Sequence, residues 1–568
     1  MRRRAPAPSG GFGADVHPVL RRVYAARGLK SSEDLNLSLD RLLPVSSLAS
    51  VDAAAQLLSA HRAAGRVLVI GDFDADGATS TALVVRALRA MSFAHVDFLV
   101  PNRFRFGYGL TPEIVALAAS RRPSLIVTVD NGVSSVAGVE AARDLGIPVL
   151  VTDHHLPGAV LPRAEVIVNP NLAGARFASP ALAGVGVAFY VIAALAKAMA
   201  LEDFRVAELL DLVALGTVAD VVPLDRNNRI LVAQGLRRIR AGRCVPGIRA
   251  LLDSAGRDHE RITAADLGFA VAPRLNAAGR LTDMTVGIAC LLADDAVEAQ
   301  RLAGMLAKLN DERREIERRM QLEALDISTG ARFDDAGGEA LGLCLYDDSW
   351  HQGVVGLVAG RIKDRLHRPV IAFARAEDGS LRGSGRSVAG VNIRDALDSI
   401  ATRHPGLIEK FGGHAMAAGM SLPEANLAVF RSAFAAEIAL RTDQESLAGV
   451  IHSDGALDGE ELCLATAHVL RGAGPWGQGF PEPVFDGEFR IADSRVVGDR
   501  HLKMRLKVAD AAGSGLIEAI AFGYIGGGTE DPLVRSGARI QLAYRLEVNE
   551  YRGNESVQLN CQQMRALG

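Results

Sequence analysis

This chain of 568 residues contains few cysteines and no large excess of either positive or negative charge. The five cysteines lie far apart and form no Cys-x-x-Cys pair, which argues against a zinc knuckle or a redox motif. Scattered thiols are typical of a reducing compartment, so we expect a cytoplasmic protein. Lys plus Arg number 63 and Asp plus Glu 66, for a net charge of −3. Any nucleic-acid-binding surface must therefore be local.

Long apolar segments are also missing. The amino terminus begins Met1-Arg-Arg-Arg4 and continues with Pro, Ser and Gly, so we expect no secretory signal. The most apolar helical stretch, residues 184–201, contains Lys197 and is short for a membrane span. It favours a buried helix and no membrane association. The length suggests about three or four domains.

Three acidic residues at every second position are the strongest local signal. Asp72, Asp74 and Asp76 follow an apolar run, residues 67–70, that predicts a buried strand, and a helix is predicted near 78–90. Carboxylates this close repel one another, and a divalent cation relieves that conflict. Oxygen ligands suit Mg²⁺ or Mn²⁺. The alternative is an acidic turn that caps the helix.

The same layout recurs further along the chain. Asp130 follows the apolar residues 125–129, and Asp153-His154-His155 follows residues 148–152. A further apolar run, 209–218, ends in Asp220, with a period that fits a helix as well as a strand. Strands alternating with helices predict a parallel, doubly wound α/β domain, whose carboxyl edge gathers ligands. The expected metal ligands at that edge are Asp74, Asp76, Asp130, His154 and Asp220.

The rest of the chain divides into a long helix, a second α/β domain and a β-rich end. Residues 295–327 have apolar positions at helical spacing beside a charged face, which we interpret as a solvated connecting helix. Strands at 341–346 and 370–374 indicate the second α/β domain. A turn-rich loop and short alternating strands then suggest a small β-barrel. These strands are predicted at 487–492, 501–508, 516–522 and 539–548.

Six segments together resemble the DHH/DHHA1 phosphoesterase superfamily, and most closely its single-strand-specific 5′→3′ DNA exonucleases. They are the acidic run, Asp153-His154-His155, Asp220, and the segments at 101–109 (PNRFRFGYG), 273–280 (PRLNAAGR) and 412–419 (GGHAMAAG). Asp-His-His alone is a weak signal. The ordered set is specific, and the resemblance covers about residues 40–568.

The resemblance implies two α/β lobes, DHH and DHHA1, joined by a long helix, plus a carboxyl-terminal OB-fold β-barrel. The lobes would form a groove that admits a single strand but not a duplex. The implied domains are an amino-terminal extension at 1–44, DHH at 45–290, the connecting helix at 291–330, DHHA1 at 331–445 and the OB-fold at 446–568.

The implied activity is that of a metal-dependent exodeoxyribonuclease that releases 5′-mononucleotides in DNA recombination and repair. Implied partners are single-stranded DNA, a DNA helicase and a single-strand-binding protein, and the implied oligomeric state is a monomer. One rival is a related phosphoesterase of short oligoribonucleotides, cyclic dinucleotides or pyrophosphate, which the extra barrel argues against. Another is a non-catalytic replication scaffold, which the intact ligand set argues against.

The resemblance also implies roles for the site residues. Two ions, Mn²⁺ or Mg²⁺, would share the ligand Asp130, with Asp74 and Asp220 at one ion and Asp76 and His154 at the other. Asp72 is either a ligand or a support of the turn. On an extended backbone His155 would point away from His154. It is implied to contact the scissile phosphate or to act as an acid, and the alternative is a structural histidine.

Substrate contacts are predicted by residue type together with the resemblance. Arginine forks and backbone N–H groups hold terminal phosphates well. The phosphate candidates are Arg103, Asn276, Arg280 in a predicted glycine-containing turn, Ser384 and Arg386 in a predicted glycine-rich loop, and His414. Tyr108 is the candidate for stacking on a base. The basic strand face of Lys503, Arg505 and Lys507 is either a track for single-stranded DNA or an ordinary solvated face.

Overall fold

The computed structural model describes residues 1–330, 340–442, 447–498, 501–508, 515–524, 535–551 and 553–567. The chain forms two compact units. The first comprises Met1–Gly279, Asp283–Ala307 and Ile451–Gly568, and the second comprises Arg280–Thr282 and Lys308–Val450.

The secondary structure follows the chain in this order. The strands are β1 (Arg2–Arg3), β2 (Arg66–Gly71), β3 (His95–Leu99), β4 (Leu125–Val129), β5 (Val149–Thr152), β6 (Val166–Val168), β7 (Leu343–Tyr346), β8 (Val370–Arg375), β9 (Leu381–Arg386), β10 (Lys410–Gly413), β11 (Ala417–Leu422), β12 (His452–Ser453), β13 (Phe485–Val497), β14 (His501–Val508), β15 (Ile517–Ala521), β16 (Arg539–Tyr551) and β17 (Asn554–Leu567). The helices are α1 (Pro18–Ala25), α2 (Val51–Ala60), α3 (Ala75–Ala90), α4 (Pro112–Ala119), α5 (Val136–Asp144), α6 (Gly184–Ala198), α7 (Leu210–Ala219), α8 (Arg226–Arg240), α9 (Pro246–Ser254), α10 (Ala264–Asp266), α11 (Ala272–Leu281), α12 (Thr285–Leu292), α13 (Ala296–Gly330), α14 (Val355–Leu366), α15 (Ile393–Arg403), α16 (Leu427–Arg441) and α17 (Leu464–Gly472).

A five-stranded parallel sheet, ordered β3-β2-β4-β5-β6, forms the core of the first unit. Strands β2, β4 and β5 are continuous apolar runs because helices cover both faces of the sheet. After β2 the chain forms β3 on one side of β2. It then crosses over and forms β4 on the other side. This strand order makes the carboxyl ends of β2 and β4 the topological switch point, where doubly wound folds bind ligands.

Several local predictions need correction. Helix α3 begins at Ala75, before the expected position near 78, because Asp74 caps it. The run ending in Asp220 is helix α7 and not a strand. The predicted turn at Arg280 is wrong, because that residue lies in helix α11, which continues from a π turn at Leu267–Val271. The π turn ends two residues before Pro273, which has no N–H to donate to a helical ladder.

The second unit contains a mixed sheet ordered β10-β11-β9-β8-β7, in which only β7 and β8 are parallel. The predicted glycine-rich loop around residue 384 is wrong, because these residues form strand β9. Its glycines allow neighbours to pack closely on the strand: a Cβ at Gly383 would lie 2.5 Å from the Phe373 ring, and one at Gly385 2.6 Å from Ile393 Cδ1.

The carboxyl-terminal strands close a barrel ordered β13-β14-β15-β17-β16. The alternation predicted for β14 is present: Leu502, Met504 and Leu506 are buried in the barrel. The strands predicted at 487–492 and 539–548 are too short, and β17 was not predicted. The amino-terminal strand β1 pairs with β12, so the start of the chain packs beside the barrel.

Helix α6, expected to be buried, lies inside the first unit with most of its residues shielded from solvent. Among the residues that the structure describes, no single helix is long and apolar enough to cross a membrane. One bent pair, Leu39–Ser47 with Val51–Ala60, meets that requirement by length and composition alone.

Candidate active site

The acidic run lies at the switch point of the parallel sheet. Asp72, Asp74 and Asp76 follow the carboxyl end of β2, beside the end of β4. Asp74 Oδ1 accepts a hydrogen bond from Gly77 N at 3.0 Å and caps helix α3, which places Asp76 in the first helical turn. The acidic run therefore caps the helix, as the alternative prediction proposed, and it also forms a cluster of carboxylates in the same turn.

Asp76 is fully enclosed by helices. Its carboxylate oxygens accept hydrogen bonds from Gly184 N at 2.7 Å and Val185 N at 3.0 Å, at the start of α6. A Cβ at Gly216 in α7 would lie 2.8 Å from Asp76 Oδ1. The absence of side chains at these glycines leaves room for the carboxylate.

Asp130 ends strand β4 in an unusual backbone conformation. Its φ of +61° lies in the left-handed region, which non-glycine residues seldom adopt and which is often found at functional sites. Its N–H donates to Thr152 O at 3.0 Å, so pairing with the next strand continues to this point. A Cβ at Gly184 would lie 2.5 Å from Asp130 Oδ1. Asp130 thus shares with Asp76 the space next to Gly184.

Asp153 positions both histidines that follow it. Its Oδ1 accepts hydrogen bonds from the backbone N–H groups of His154 and His155 at 2.7 and 3.1 Å, and it lies 2.8 Å from His155 Nδ1. The backbone therefore turns here. The two histidine rings are only 4.5 Å apart between centroids, so they do not point in opposite directions as they would on an extended backbone.

His154 joins Asp220 to Asp130. Its Nε2 lies 3.2 Å from Asp130 Oδ1 and 3.4 Å from Asp220 Oδ2. Asp220 reaches this position from the carboxyl end of helix α7. Asp220 therefore follows a helix, whereas the sequence alone was compatible with either a strand or a helix before it.

Three sets of side chains bring one potential ligand atom each to within 4.8 Å of the others. The sets are Asp72, Asp74 and Asp130; Asp76, His154 and Asp220; and Asp130, His154 and His155. Asp130 and His154 each belong to two sets. Asp220 groups with Asp76 and His154, whereas the sequence prediction paired it with Asp74. Asp72 groups with Asp74 and Asp130.

The donor chemistry fits divalent cations. Asp130 Oδ1 and Asp220 Oδ2 are buried, and neither accepts a hydrogen bond from the described part of the chain. Burial, and then repulsion by neighbouring carboxylates, raises the pKa of Asp72, Asp130 and Asp220 well above the usual range. The same causes raise the pKa of Asp76 to about 7. Hard oxygen ligands with one imidazole are a set that Mn²⁺ or Mg²⁺ accepts.

His155 and Tyr108 lie together at the edge of the cluster. Burial lowers the pKa of His155, but the hydrogen bond and charge of Asp153 outweigh it, so the pKa is raised overall. The Tyr108 hydroxyl lies 3.1 Å from His155 Nδ1 and donates to Asp130 O at 3.3 Å. The tyrosine ring is half exposed. Its contact with a base stays a prediction.

Arg103 lies beside the acidic run. Its guanidinium is 4.6 Å from the centre of the Phe73 ring. Burial lowers the pKa of Arg103, and the charges of Asp72 and Asp74 act in the opposite direction. This places a cation next to the carboxylates, as a phosphate ligand would require.

Helix α11 supports the acidic run from the other side. Asn276 Oδ1 accepts a hydrogen bond from Ala75 N at 2.8 Å. A Cβ at Gly279 would lie 1.8 Å from Phe73 O, so only glycine permits this approach. The Asn276 amide oxygen holds the backbone of the turn, a role that the sequence analysis did not assign to it.

In the second unit, Ser384 and Arg386 contact each other. Arg386 Nη1 donates to Ser384 Oγ at 3.1 Å and to Gly385 O at 2.8 Å. A Cβ at Gly356, near the start of α14, would lie 2.8 Å from Ser384 Oγ and 2.9 Å from Arg386 Nη2. A hydroxyl, a guanidinium and the first turn of a helix therefore meet here, a combination that suits an anion.

Two other phosphate candidates also belong to this unit. Arg280 Nη1 donates to Gly353 O at 3.2 Å, which ties the guanidinium to the segment before α14. His414 N donates to Ala417 O at 2.8 Å in the turn between β10 and β11. Their phosphate contacts stay predictions.

The basic face predicted on β14 is partly neutralised. Lys503 pairs with Glu518 at 2.9 Å, and Arg505 pairs with Asp493. Lys507 forms no ion pair with any residue that the structure describes. Acids on the neighbouring strands β13 and β15 therefore offset part of the positive charge of this face, and its role as a track for single-stranded DNA stays a prediction.

Three residues that position the site were not predicted from the sequence to do so. Asp153 was included only as a member of the Asp-His-His motif. Asn169 Nδ2 donates to His155 O at 2.9 Å, and Asn171 Nδ2 donates to His154 O at 2.6 Å. The available signal was the polar Asn-Pro-Asn segment directly after β6, at the same sheet edge as the other site residues.

The doubly wound sheet with its acid–histidine cluster at the switch point defines a DHH-type phosphoesterase. Residues 66–217 match the model of the DHH family, N-terminal domain; residues 339–440 match the DHHA1 domain; and residues 453–563 match the RecJ OB domain. The chain belongs to the RecJ family. The predicted domain boundaries stay predictions.

Relatives and solved structures agree with this membership. The chain is 52% identical to the single-stranded-DNA-specific exonuclease RecJ of Escherichia coli (strain K12), over 98% of each chain. Crystal structures of RecJ from Thermus thermophilus are also similar. The complex with Mn²⁺ has a TM-score of 0.82 and 31% identity over 100% of this chain and 79% of that one. The complex with Mg²⁺ has a TM-score of 0.76 and 30% identity over 100% and 78%.

Proposed function

We propose that this chain is a metal-dependent, single-strand-specific 5′→3′ exodeoxyribonuclease that releases 5′-mononucleotides. The observation that carries the proposal is the acid–histidine cluster at the switch point, in which Asp130 belongs to two ligand sets. Membership of the RecJ family supplies the expected substrate, because its relatives are named for single-stranded DNA. The closed carboxyl-terminal barrel supports this choice over the smaller phosphoesterases.

We assign the metal ligands by the observed sets. Asp72, Asp74 and Asp130 form one set and would hold one ion, Mn²⁺ or Mg²⁺, and Asp76, His154 and Asp220 would hold the other. Asp130, which also forms a set with His154, would bridge the two ions. A bound ion pair lowers the pKa of a water and stabilises the attacking and departing oxygens of a phosphodiester. This assignment revises the sequence prediction at Asp220 and Asp72.

His155 is the proposed contact to the scissile phosphate. Asp153 lies 2.8 Å from its Nδ1 and, through the raised pKa, favours a protonated ring. A proton held at Nε2 would then stabilise charge on a phosphate oxygen or be given to the leaving oxygen. Arg103 is the second cation at the acidic run, and Tyr108 adds the aromatic surface for the first base.

Recognition of the 5′ end is proposed for the second unit. Ser384, Arg386, Arg280 and His414 are the ligands for the terminal phosphate, and Asn276 acts by holding the acidic run. On the barrel, Lys507 is the main contributor to strand binding, with Lys503 and Arg505 weakened by their ion pairs.

The cellular setting of this activity is proposed from the family alone. We expect a monomer in the cytoplasm that acts with a DNA helicase and a single-strand-binding protein in recombination and repair. Pull-down with those proteins from an extract tests the proposed partners. Mass measurement of the purified chain tests the proposed monomer.

The test of the activity uses one strand in three forms: single-stranded, with a duplex 5′ end, and with a duplex 3′ end, each labelled at either end. We expect release of labelled mononucleotides from the 5′ end of the single strand, a block by the 5′ duplex, and loss of activity with EDTA that Mn²⁺ or Mg²⁺ restores. Asp130→Asn should be inactive. Asp211→Asn, an equally buried acid that caps Val245 N outside the cluster, should retain activity. Degradation from the 3′ end, or full activity of Asp130→Asn, would contradict the proposal.

A further inference from the structure

A pocket of about 350 Å³ lies in the first unit, at the amino end of the parallel sheet. It is lined by the first residues of β2 and β3, the carboxyl end of α3 and the segment that follows α4. The acidic run follows the opposite end of β2. Since β2 has six residues and each extends a strand by about 3.3 Å, roughly 20 Å separates the pocket from the proposed metal site.

The polar side chains of this pocket are mainly basic. Arg66, Arg89, His95 and Arg121 line it beside one acid, Asp97. Asp97 pairs with Arg121 at 2.8 Å, and no acid in the described part of the chain pairs with the other three. Arg66, Arg89 and His95 are exposed to solvent. A concave surface with this excess of basic groups attracts anions.

Strand β3 is an edge of the sheet, and side chains already occupy its open side. Arg89 Nη2 donates to Val96 O at 3.4 Å, and Arg121 Nη1 donates to Phe98 O at 2.7 Å. The N–H of Phe98 donates to Asp97 Oδ1 at 2.8 Å. These contacts argue against a peptide that adds to the sheet as a further strand. The arginines keep other N–H donors, which a small anion can use.

Arg66 has a side chain that the fold does not engage. Its backbone N–H donates to Ser124 Oγ at 2.8 Å, which holds the start of β2. Its side chain forms no hydrogen bond or ion pair with the residues that the structure describes. Arg89 lies in the last turn of α3, where a cation offsets the negative end of the helix dipole. Arg66 lies on a strand and has no such role.

The size and lining of the pocket indicate the class of anion. Its volume lies at the lower end of the range for small-molecule sites, about 300–1,000 Å³. Guanidinium groups bind phosphate oxygens with paired hydrogen bonds, and one phosphate can contact more than one such group. The apolar residues Phe93, Val96 and Pro123 belong to the same lining. A nucleotide, which joins a phosphate to a planar base, therefore fits better than a bare ion.

We propose that this pocket is an accessory site for a small phosphate-bearing ligand, held by Arg66 and Arg89 with His95 beside them. The two sources of this chemistry are a free nucleotide, which the apolar lining favours, and an inorganic polyphosphate. The site is separate from the metal ligands and from the residues proposed for the terminal phosphate of a strand. It takes part in no step of the proposed hydrolysis, so its test does not depend on that function.

Isothermal titration of the full-length, metal-free chain in EDTA tests the proposal with dAMP, deoxyadenosine and inorganic pyrophosphate. At least one of the two phosphate probes should bind, and deoxyadenosine should bind far more weakly than dAMP. Arg66→Ala should weaken the binding of that probe about tenfold or more, the usual loss for a charged hydrogen bond. Arg66→Lys, which keeps the charge but loses the planar fork, should lose less. Tighter binding of dAMP would identify a nucleotide as the ligand, and tighter binding of pyrophosphate an inorganic polyphosphate.

Two further variants locate the bound probe. Arg205→Ala is the matched control, because Arg205 is also exposed and unpaired among the described residues but does not line the pocket, and it should bind as the wild type does. Arg386→Ala removes a proposed ligand of the terminal phosphate and should leave the affinity of this pocket unchanged. Equal affinity of Arg66→Ala and the wild type, or a loss in Arg386→Ala alone, would overturn the proposal. So would failure of both phosphate probes to bind, or tighter binding of a polyglutamate peptide than of either.

Discussion

Two glycines determine where the carboxylates of the cluster can lie. Any side chain at Gly184 would collide with Asp130, and any side chain at Gly216 would collide with Asp76. The strained φ of Asp130 adds to this arrangement, because it directs the chain away from the sheet at the residue that two ligand sets share. Residue size and backbone conformation therefore set the metal geometry as much as the ligands do.

Gly184→Ala tests this dependence. The added Cβ would lie 2.5 Å from Asp130 Oδ1, so the carboxylate must move. We expect metal affinity to fall by about 10–100-fold, the range for disturbed outer-shell support. Gly304→Ala in helix α13 is the control, since nothing lies within 4 Å of its Cβ, and it should bind metal normally. Isothermal titration with Mn²⁺ gives both values, and equal affinities would contradict the steric argument.

At the residue scale the ligands were predictable from sequence but their supports were not. Asp74, Asp76, Asp130, His154 and Asp220 do converge, because strand ends at one sheet edge are a strong spatial constraint. Asp153 and the asparagines after β6 were missed, since a residue that hydrogen-bonds a backbone N–H or C=O needs no distinctive spacing. The observed sets group Asp220 with Asp76 and Asp72 with Asp74, so the division of ligands between two ions depends on side-chain positions that the sequence does not give.

At the element scale, fully buried strands were predictable and polar or glycine-rich ones were not. Strands β2, β4 and β5 are unbroken apolar runs. Strand β17 is largely polar and only two of its residues are buried, so no alternation marks it. Strand β9 contains two glycines that normally indicate a turn, and here they admit neighbouring side chains. Helix α11 was obscured by Pro273, which the preceding π turn accommodates.

The last turn of helix α11 contains Arg280, the proposed ligand of the 5′-phosphate. Loss of one charged hydrogen bond costs about 1.5–3 kcal/mol, so Arg280→Ala should reduce kcat/KM on 5′-phosphorylated strands by about 10–100-fold. Strands with a 5′-hydroxyl should lose much less, and metal content should be unchanged. The two substrates are compared on one purified variant. Equal loss on both would remove Arg280 from end recognition.

The barrel strand β14 offers an internally controlled comparison of two lysines. Each phosphate contact to a single strand contributes about 0.7 to the slope of log affinity against log salt. Lys507→Ala should reduce that slope by about this amount. Lys503→Ala should have a smaller effect, because Lys503 pairs with Glu518. Binding isotherms over a range of salt measure both, and a larger effect at Lys503 would show that its ion pair opens on binding.

At the scale of the whole molecule, the first residues of the chain pack against the start of its carboxyl-terminal region. Strand β1 pairs with β12, and Arg3 contacts Asp486 of the barrel. Arg27 forms a two-bond pair with Asp454 at 2.9 and 3.1 Å and donates to Pro481 O at 2.8 Å. The residues predicted as an extension are thus part of the structure around the barrel. Pairing between segments more than 400 residues apart leaves no local trace in the sequence.

Arg27→Ala should therefore destabilise the first unit. It leaves Asp454 buried without its main cation, which typically costs about 3–5 kcal/mol. Arg163→Ala removes an exposed pair with Glu140 and should change stability by about 1 kcal/mol or less. Urea unfolding followed by tryptophan fluorescence compares the variants, since Trp476 lies 5.3 Å from the Arg27 guanidinium. Similar midpoints for both variants would show that the Arg27 pair is not structural.

The central claim is that one carboxylate, Asp130, joins two divalent cations at the switch point. Titration of the metal-free chain with Mn²⁺, followed by electron paramagnetic resonance, tests it directly. The account predicts an exchange-coupled pair at two equivalents in the wild type, and only uncoupled ions in Asp130→Asn. A single bound Mn²⁺, or two uncoupled ions in the wild type, would contradict it.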